Sequence, residues 1–577
     1  MVRKAIDFTK TIFTSEPQST LKVSVILMGI TLLAKVAGLA VKALMANKIG
    51  VNRELDIFFA ANTLPEMLSN VFLVGALSAA VIPILAQVKK VKGFEEFEKT
   101  LSLGLNGSLL LFTAITIVVS IFAGQIIPWI IQNFANPIDP FTPGEISRIV
   151  IMTRVLLFSQ ILLGVSSFIG VGLQTMQRFI IPQIAGILYN IGQLIGAILI
   201  IPLLPNEYKL WGLVIGIYLG CIFHILIQLP AIRAVGIKYY PILDFKNAAV
   251  RKMAVLGIPR TLTLAADQFA VAFDKVIALR LIQGSLSAYA LSISIMSIPF
   301  SLVAYSFSVV AFPKLAEHFA ANDKNSARDL FTKVFNQILF LVIPITAIFI
   351  VLRVPLVRIM YGLYPNGNFS WDATLLIAWM ILFYSIGLVP EVLNTLHNRL
   401  FFSAHNTWIP LLIGAFIVIF GMGTGLAFTQ YLKHFDTLSI LDLTINLDFF
   451  KYNASSVGIA AVGGLALSSS ITNIIAFIFF MIAINVKLFK LTFHDFWLKI
   501  IAKTSVGISM FSFMYIITKF WESTLNTAKV SGVILLTGGT ILFGGLLYVG
   551  LSILFKIEEA DIFKRYYERF RKYIITR

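Results

Sequence analysis

The 577-residue chain is 58% hydrophobic and only 13% charged, and its mean hydropathy is +0.88. So apolar a composition excludes a soluble globular protein and predicts a polytopic membrane protein. The formal net charge of +18 does not indicate nucleic-acid binding, because the lysines and arginines cluster beside apolar segments, where anionic lipid headgroups lie.

Apolar segments of about 20 residues recur along the whole chain, and a helix of that length crosses a bilayer with its backbone groups satisfied internally. We therefore predict an all-α membrane protein with fourteen transmembrane helices. The predicted spans are residues 23–45, 66–88, 101–123, 148–172, 180–202, 210–232, 254–279, 286–312, 334–353, 373–398, 407–429, 456–485, 499–519 and 530–555. Most lysines and arginines then share a side with the N-terminus, so the positive-inside rule predicts that both termini are cytoplasmic.

The spans and the loops between them divide the chain into six parts. These are a cytoplasmic arm (1–22), an N-lobe of spans 1 to 6 (23–232), a cytoplasmic linker (233–253), a C-lobe of spans 7 to 12 (254–485), spans 13 and 14 (486–555) and a basic cytoplasmic tail (556–577).

The two lobes repeat each other in their prolines. Three prolines of the N-lobe recur about 230 residues later in the C-lobe, as the pairs Pro65 and Pro299, Pro83 and Pro313, and Pro182 and Pro410. An even number of spans separates the copies, so they share an orientation. We predict two six-helix lobes related by a pseudo-twofold axis along the membrane normal, with two extra C-terminal helices.

Polar side chains of the N-lobe concentrate on spans 1 and 2. Lys35 and Lys42 share one face of span 1, Glu66 and Asn70 share one face of span 2, and Asp56 precedes span 2. Such a cationic surface within a membrane protein suits an anionic headgroup, so these five residues are candidate substrate contacts. Alternatively, the lysines simply pair with nearby carboxylates.

Span 7 carries the densest set of charges. Arg260, Asp267 and Asp274 are spaced seven residues apart and fall in one helical stripe, with Lys275 beside it. Each charge would cost about 2.5 to 3.5 kcal/mol at the centre of a lipid-facing helix, so the stripe should face other helices or water. Arg260 and Asp267 are candidate substrate contacts, and Asp274 and Lys275 are candidate cation- or proton-coupling residues. Structural ion pairing is the alternative.

The sequence contains no P-loop, HExxH, CxxC or GxSxG motif. ATP hydrolysis, zinc catalysis and a serine nucleophile therefore lack their characteristic residues, and we predict no enzyme, no metal site and no cofactor. Any transport would then be driven by an ion gradient or by the membrane potential, with Na⁺ or H⁺ as the possible coupling ion.

Three segments resemble a known family. They are the segment from KVAGLAVKAL to VIPILAQ (35–87), GVGLQTMQRFIIPQIAGILYNIG (170–192) and GLVPEVLNTLHNRLFFSAHNTWIP (387–410). They are similar to the MurJ (MviN) family of lipid II flippases, in the multidrug/oligosaccharidyl-lipid/polysaccharide exporter superfamily. The resemblance runs from span 1 to about span 12. It implies fourteen spans, a two-lobed core, a hydrophobic groove at spans 13 and 14, and the bacterial cytoplasmic membrane.

The resemblance also implies roles for single residues. Lys35 and Lys42 fall on the family's basic positions of span 1, Asp56 on its aspartate before two phenylalanines, and Asp274 on an aspartate that helps bind sodium in some members. Ser292 and Asn70 stand where the family has arginines, so Ser292 is a further candidate substrate contact beside Asn70.

The implied function is alternating-access flipping of a lipid-linked peptidoglycan precursor, a lipid II-like undecaprenyl-diphosphate sugar. The expected partners are this lipid-linked glycan, anionic membrane lipids and cell-wall synthesis proteins. The alternatives are an exporter of another lipid-linked oligosaccharide and a non-transporting membrane scaffold. A membrane transferase is less favoured, because no paired carboxylates occur in a recognisable arrangement on a water-facing loop.

Overall fold

The computed structural model describes residues 20–71, 81–134, 140–244, 246–364, 367–432, 459–491, 496–527 and 529–561. Within these ranges all regular secondary structure is helical, and no strand occurs there. The predicted all-α class is confirmed. The predicted cytoplasmic arm up to residue 19 and the basic tail from residue 562 lie outside the described ranges.

The chain forms two compact units, the first comprising Met1–Ser287 with Asn366–Phe369 and the second Ala288–Pro365 with Ser370–Arg577. The helices of the first unit are α1 (Thr20–Lys48), α2 (Arg53–Ser69), α3 (Ile82–Lys92), α4 (Phe94–Phe134), α5 (Pro143–Thr175), α6 (Ile180–Ile195), α7 (Lys209–Leu226), α8 (Gln228–Ala234) and α9 (Ala248–Leu279). The sequence analysis assigned α9 to the C-lobe, whereas in the structure this helix belongs to the first compact unit. The predicted domain limits and the symmetry of the lobes stay predictions.

The remaining helices follow from the end of the first unit. They are α10 (Ser285–Phe300), α11 (Ser306–Ala320), α12 (Lys324–Val351), α13 (Arg353–Tyr361), α14 (Trp371–Ser403), α15 (Trp408–Leu432), α16 (Ile459–Lys487), α17 (Leu498–Thr524) and α18 (Val530–Leu554). Short π segments follow α6 at Gly196–Ile200 and α10 at Ser301–Tyr305, and 3-10 turns occupy Ile201–Leu203, Asn206–Tyr208 and Glu558–Ala560.

Among the described residues, twelve helices are long and apolar enough to cross a membrane, by length and composition. They coincide with twelve of the fourteen predicted spans. Of the other two, predicted span 2 includes residues 72–80, which lie outside the described ranges, and predicted span 7 is the charge-rich helix α9. The structure therefore shows a multi-span helical membrane protein, and the count of fourteen stays a prediction.

Capping side chains determine where helices of the first unit begin. Asn52 accepts hydrogen bonds from the backbone N–H groups of Glu54 and Leu55 at the start of α2. Thr142 and Glu145 form a reciprocal capping box at the start of α5. These side chains satisfy N–H groups that have no partner within the helix, so the polar turns between spans specify the helix ends.

Helices α6 and α7 approach each other through glycines. A Cβ atom added to Gly192 would lie 2.2 Å from the backbone nitrogen of Gly220, and one added to Gly196 would lie 2.6 Å from the Cα of Gly216. Small residues at spacings of four are what close packing of membrane helices requires, because dispersion contacts between backbones replace a hydrophobic driving force. This contact positions α6, which in turn packs against α1.

We expect Gly192→Ala to force α6 and α7 apart. Overpacking of a close contact typically lowers the free energy of unfolding by about 1 to 3 kcal/mol. Gly186→Ala on the same helix is the matched control, because a Cβ atom there would meet nothing within 4 Å. Thermal unfolding of both variants in detergent checks this expectation, and equal melting temperatures would contradict it.

In the second unit, α14 packs against α12 and α16, and α17 packs against α12 and α18. A buried ion pair holds the segment after α18 against these helices. The ammonium of Lys503 donates to Oδ1 of Asn336 at 2.6 Å and to Oε1 of Glu559 at 3.0 Å. Lys503 and Glu559 are 2% and 12% exposed in their side chains, so this pair attaches the residues that follow α18 to α12 and α17.

Candidate substrate-binding site

Charged side chains of α1, α2 and α9 interact with one another in the first unit. The Lys275 ammonium of α9 forms an ion pair with Oε2 of Glu66 on α2 at 2.8 Å. Lys42 of α1 interacts electrostatically with Glu66, with Lys275 and with Lys35 one heptad earlier on its own helix. The structure thus brings together four of the residues that the sequence analysis selected, three of them cationic.

A second polar contact lies beside this cluster on the same two helices. The amide nitrogen of Asn70 donates to Oε1 of Gln268 at 3.0 Å. Asn70 directly follows the last residue of α2, one turn after Glu66, and the partners Lys275 and Gln268 run in the opposite direction on α9, so the two pairs join antiparallel segments. Sequence reasoning missed Gln268, although its position one heptad before Lys275 places it on the same helical face.

Asp56 lies near the start of α2, where it is 4% exposed. Its Oδ2 accepts a hydrogen bond from the N–H of Gly284 at 2.6 Å, and its Oδ1 accepts from the N–H and the hydroxyl of Ser287 at 2.7 and 2.6 Å. The carboxylate therefore caps the N-terminal turn of α10, where orphan N–H groups and the helix dipole favour a negative charge. Both oxygens thus accept hydrogen bonds from the protein itself, and the role of Asp56 as a substrate contact stays a prediction.

Gly284 makes this cap possible. Its φ is +84°, a left-handed conformation that glycine adopts without strain. A Cβ atom there would also lie 2.7 Å from the backbone carbonyl oxygen of Val51. Both the backbone conformation and the lack of space therefore require glycine directly before α10.

The other predicted site residues differ in their burial. On α9, Asp267 is exposed and Asp274 is partly buried. Arg260 belongs to the same helix, but its side chain lies outside what the structure describes. Ser292 is fully buried in the second unit, and its hydroxyl has no hydrogen-bond partner among the described residues. Among those residues, no group of three or more His, Cys, Asp or Glu side chains could hold a metal ion.

The second unit contains an apolar groove of about 410 Å³ between α12, α14 and α17. Its lining includes Phe335, Ile343, Phe477, Trp497 and Phe511. The groove lies at the first of the two C-terminal spans, where the family resemblance implies a hydrophobic groove. Its chemistry suits an alkyl or polyprenyl chain.

A family model described as lipid II flippase MurJ matches residues 45–536. This chain belongs to the MurJ family. The resemblance noted in the sequence is therefore confirmed over most of the chain. Lys35 and Lys42 lie just before the first matched residue, whereas Asp56, Glu66 and Lys275 lie within the match.

Curated relatives of the MurJ family support this assignment. The probable lipid II flippase MurJ of Haemophilus influenzae is 26% identical over 407 residues, which cover 69% of this chain and 78% of that protein. The lipid II flippase MurJ of Burkholderia cenocepacia is 24% identical over 418 residues, which cover 71% of this chain and 79% of that protein.

Solved structures show that the fold is shared. A structure described as lipid II flippase MurJ in an inward closed conformation superposes with a TM-score of 0.70 at 22% identity, covering 92% of this chain and 98% of that one. An inward-facing multidrug resistance transporter of the MATE family, in the MOP superfamily, superposes with a TM-score of 0.61 at 11% identity, covering 80% and 98%. The chain thus has a transporter fold found in the MurJ and MATE families.

Proposed function

We propose that this chain is a flippase that moves a lipid-linked peptidoglycan precursor, a lipid II-like undecaprenyl-diphosphate sugar, across the bacterial cytoplasmic membrane by alternating access. The observation that carries the proposal is the attraction of Glu66 to Lys275 and Lys42, with Lys35 one heptad before Lys42, in a chain of the MurJ family. We propose that both termini lie in the cytoplasm, as the distribution of lysines and arginines favours.

The cluster suits a diphosphate for an electrostatic reason. A hydrogen bond to a charged group contributes about 1.5 to 3 kcal/mol, and it is stronger where water is excluded. Lysine acts on phosphate as a compact charge and does not fix the bidentate geometry that arginine provides. The three ammonium groups therefore favour a multiply charged headgroup while allowing it to rotate and leave.

The apolar groove of the second unit supports the lipid part of the proposal. A polyprenyl chain that enters such a surface gains about 0.8 kcal/mol for each methylene removed from water, although a chain already dissolved in the bilayer gains little. We therefore expect the groove to accommodate the polyprenyl chain without adding much binding free energy. The affinity for the lipid then comes mainly from its headgroup. Anionic membrane lipids and cell-wall synthesis proteins are the further partners that we propose.

We propose coupling to Na⁺ or H⁺ through Asp274, with Lys275 beside it. The membrane potential contributes about 2.3 kcal/mol per elementary charge per 100 mV, enough to bias the direction of transport without a nucleotide. The position of Asp274 in α9, directly before the lysine that binds Glu66, supports a link between ion and headgroup.

Another lipid-linked oligosaccharide is the second candidate cargo. Asn70 stands where the family resemblance implies an arginine, and its amide is hydrogen-bonded to Gln268. This position thus offers no cation, so recognition of the diphosphate depends more heavily on the lysines.

Reconstitution in liposomes tests the proposed cargo. We expect the purified full chain to accelerate the transfer of fluorescent lipid II between leaflets relative to protein-free liposomes, and to do so more than for other undecaprenyl-diphosphate oligosaccharides. Faster transfer of an oligosaccharide lipid than of lipid II would favour the second candidate. Equal rates with and without protein, for every lipid, would favour the membrane scaffold.

A further inference from the structure

The two members of the Glu66 and Lys275 ion pair differ strongly in their surroundings. The side chain of Lys275 is 11% exposed, whereas that of Glu66 is 51% exposed. Lys275 lines a small apolar cavity of about 80 Å³ with Leu64, Ile131 and Val276. The packing therefore fixes the position of the ammonium group, while the carboxylate is at the accessible side of the pair.

We propose that Glu66 occupies the place of the substrate's diphosphate and is displaced by it, so that Lys275 becomes a direct ligand of the headgroup. The inference rests on the proposed function in one respect, namely that the cargo is an anionic diphosphate. It assigns to Lys275 a substrate-binding role, in addition to any role in ion coupling.

The physical reason is the cost of a buried ammonium without a counter-charge. Removing one partner of a buried ion pair destabilises a protein by about 3 to 5 kcal/mol, because the remaining charge is uncompensated. A lysine enclosed by α2, α4 and α9 therefore needs an anion at all times. Glu66 supplies it in the protein itself, and an arriving diphosphate exchanges one anion for another, so the ammonium keeps a counter-charge throughout.

Lys42 makes the exchange favourable to the substrate. Glu66 is attracted by both Lys275 and Lys42, so one carboxylate is shared between two ammonium groups. A diphosphate carries more negative charge than a carboxylate and can contact both cations. The contact between Asn70 and Gln268 does not involve Glu66, so α2 and α9 keep their register while the carboxylate moves away.

A double-variant series separates a ligand from a structural partner. The proteins are the parent, Glu66→Gln, Glu66→Gln with Lys275→Met, and Glu66→Gln with Lys275→Arg. Binding of farnesyl diphosphate to the purified full chain in detergent is measured by calorimetry at fixed ionic strength, with inorganic pyrophosphate in a parallel arm. The control is Glu95→Gln with Lys99→Met, which removes an exposed ion pair of α4.

We expect Glu66→Gln to bind farnesyl diphosphate several-fold more tightly than the parent, because an internal competitor is lost. Adding Lys275→Met to Glu66→Gln should weaken binding about ten-fold, the effect of roughly 1.4 kcal/mol, and Lys275→Arg should retain most of the affinity. The control should bind as the parent does. Weaker binding of pyrophosphate than of farnesyl diphosphate, with the same order among variants, identifies a lipid headgroup rather than free phosphate as the ligand.

Two results would overturn the inference in different ways. If the parent binds farnesyl diphosphate and Lys275→Met changes nothing once Glu66 is glutamine, Lys275 is only the structural partner of Glu66, and the proposed cargo is unaffected. If neither the parent nor any variant binds farnesyl diphosphate while each remains helical by circular dichroism and elutes as a single species from gel filtration in detergent, the anionic cargo itself is wrong and the inference is lost with it.

Discussion

Asp56→Ala should lower the free energy of unfolding by about 3 kcal/mol or more, since hydrogen bonds to a charged group contribute about 1.5 to 3 kcal/mol each. The alanine removes the acceptor of three such bonds, from Gly284 and Ser287. It also leaves two buried N–H groups at the start of α10 without a partner. Thermal and denaturant unfolding in detergent measure the effect, and the rate of lipid transfer in liposomes should fall with it.

Two variants make this prediction specific. Asp56→Asn keeps one acceptor oxygen but loses the charge, so its loss of stability should lie between those of the parent and the alanine variant. Asp329→Ala removes a carboxylate that is 70% exposed and pairs with its neighbour Arg328, and exposed pairs contribute only about 0 to 1 kcal/mol. If Asp56→Ala were as stable as Asp329→Ala, the cap on α10 would contribute nothing measurable.

The helices could be predicted from the sequence because the bilayer fixes their length. An apolar run of about 20 residues has one stable conformation in lipid, so twelve predicted spans coincide with observed helices. The apolar length predicts a membrane span less clearly for α9, because its charged residues lower its hydropathy. The alignment of these charges along one side of the helix could be predicted, because it depends only on the helical period.

The partners of the charged residues could not be predicted. Glu66 and Lys275 were both selected for their cost in lipid, but their ion pair joins residues 209 positions apart, and its existence depends on how α2 and α9 are rotated. The alternative of simple ion pairing therefore holds for these two residues at least in part. Their unequal exposure, which carries the proposed exchange with a diphosphate, arises from packing and has no sequence signal.

Asp56 shows a different limit of sequence reasoning. The sequence analysis selected it as a candidate substrate contact, which stays a prediction, but the sequence did not indicate that its carboxylate also caps a helical turn that begins 228 positions later. A signal for the turn existed, since Gly284 precedes two serines at the start of an apolar run. That signal predicts a helix start, but it does not name the side chain that caps it.

Lys42→Ala should weaken binding of the diphosphate headgroup about ten-fold or more, since one charge-assisted contact contributes about 1.5 to 3 kcal/mol. Lys42 lies within the combined field of Glu66, Lys275 and Lys35, and its removal leaves Glu66 facing fewer cations. The carboxylate then repels the headgroup more strongly, which adds to the lost contact. Lys42→Arg keeps the charge and should preserve binding, with a gain in bidentate geometry.

The measurement is binding of lipid II and its transfer between leaflets in the same liposomes, at two salt concentrations. Lys238→Ala is the matched control, because this exposed lysine of the linker contacts Glu98 through its backbone N–H and not through its ammonium group. We expect the control to match the parent in both assays, and Lys42→Ala to lose binding and transfer together. Equal activity of Lys42→Ala and the parent, with insertion and thermal unfolding unchanged, would remove this lysine from the mechanism and favour the scaffold.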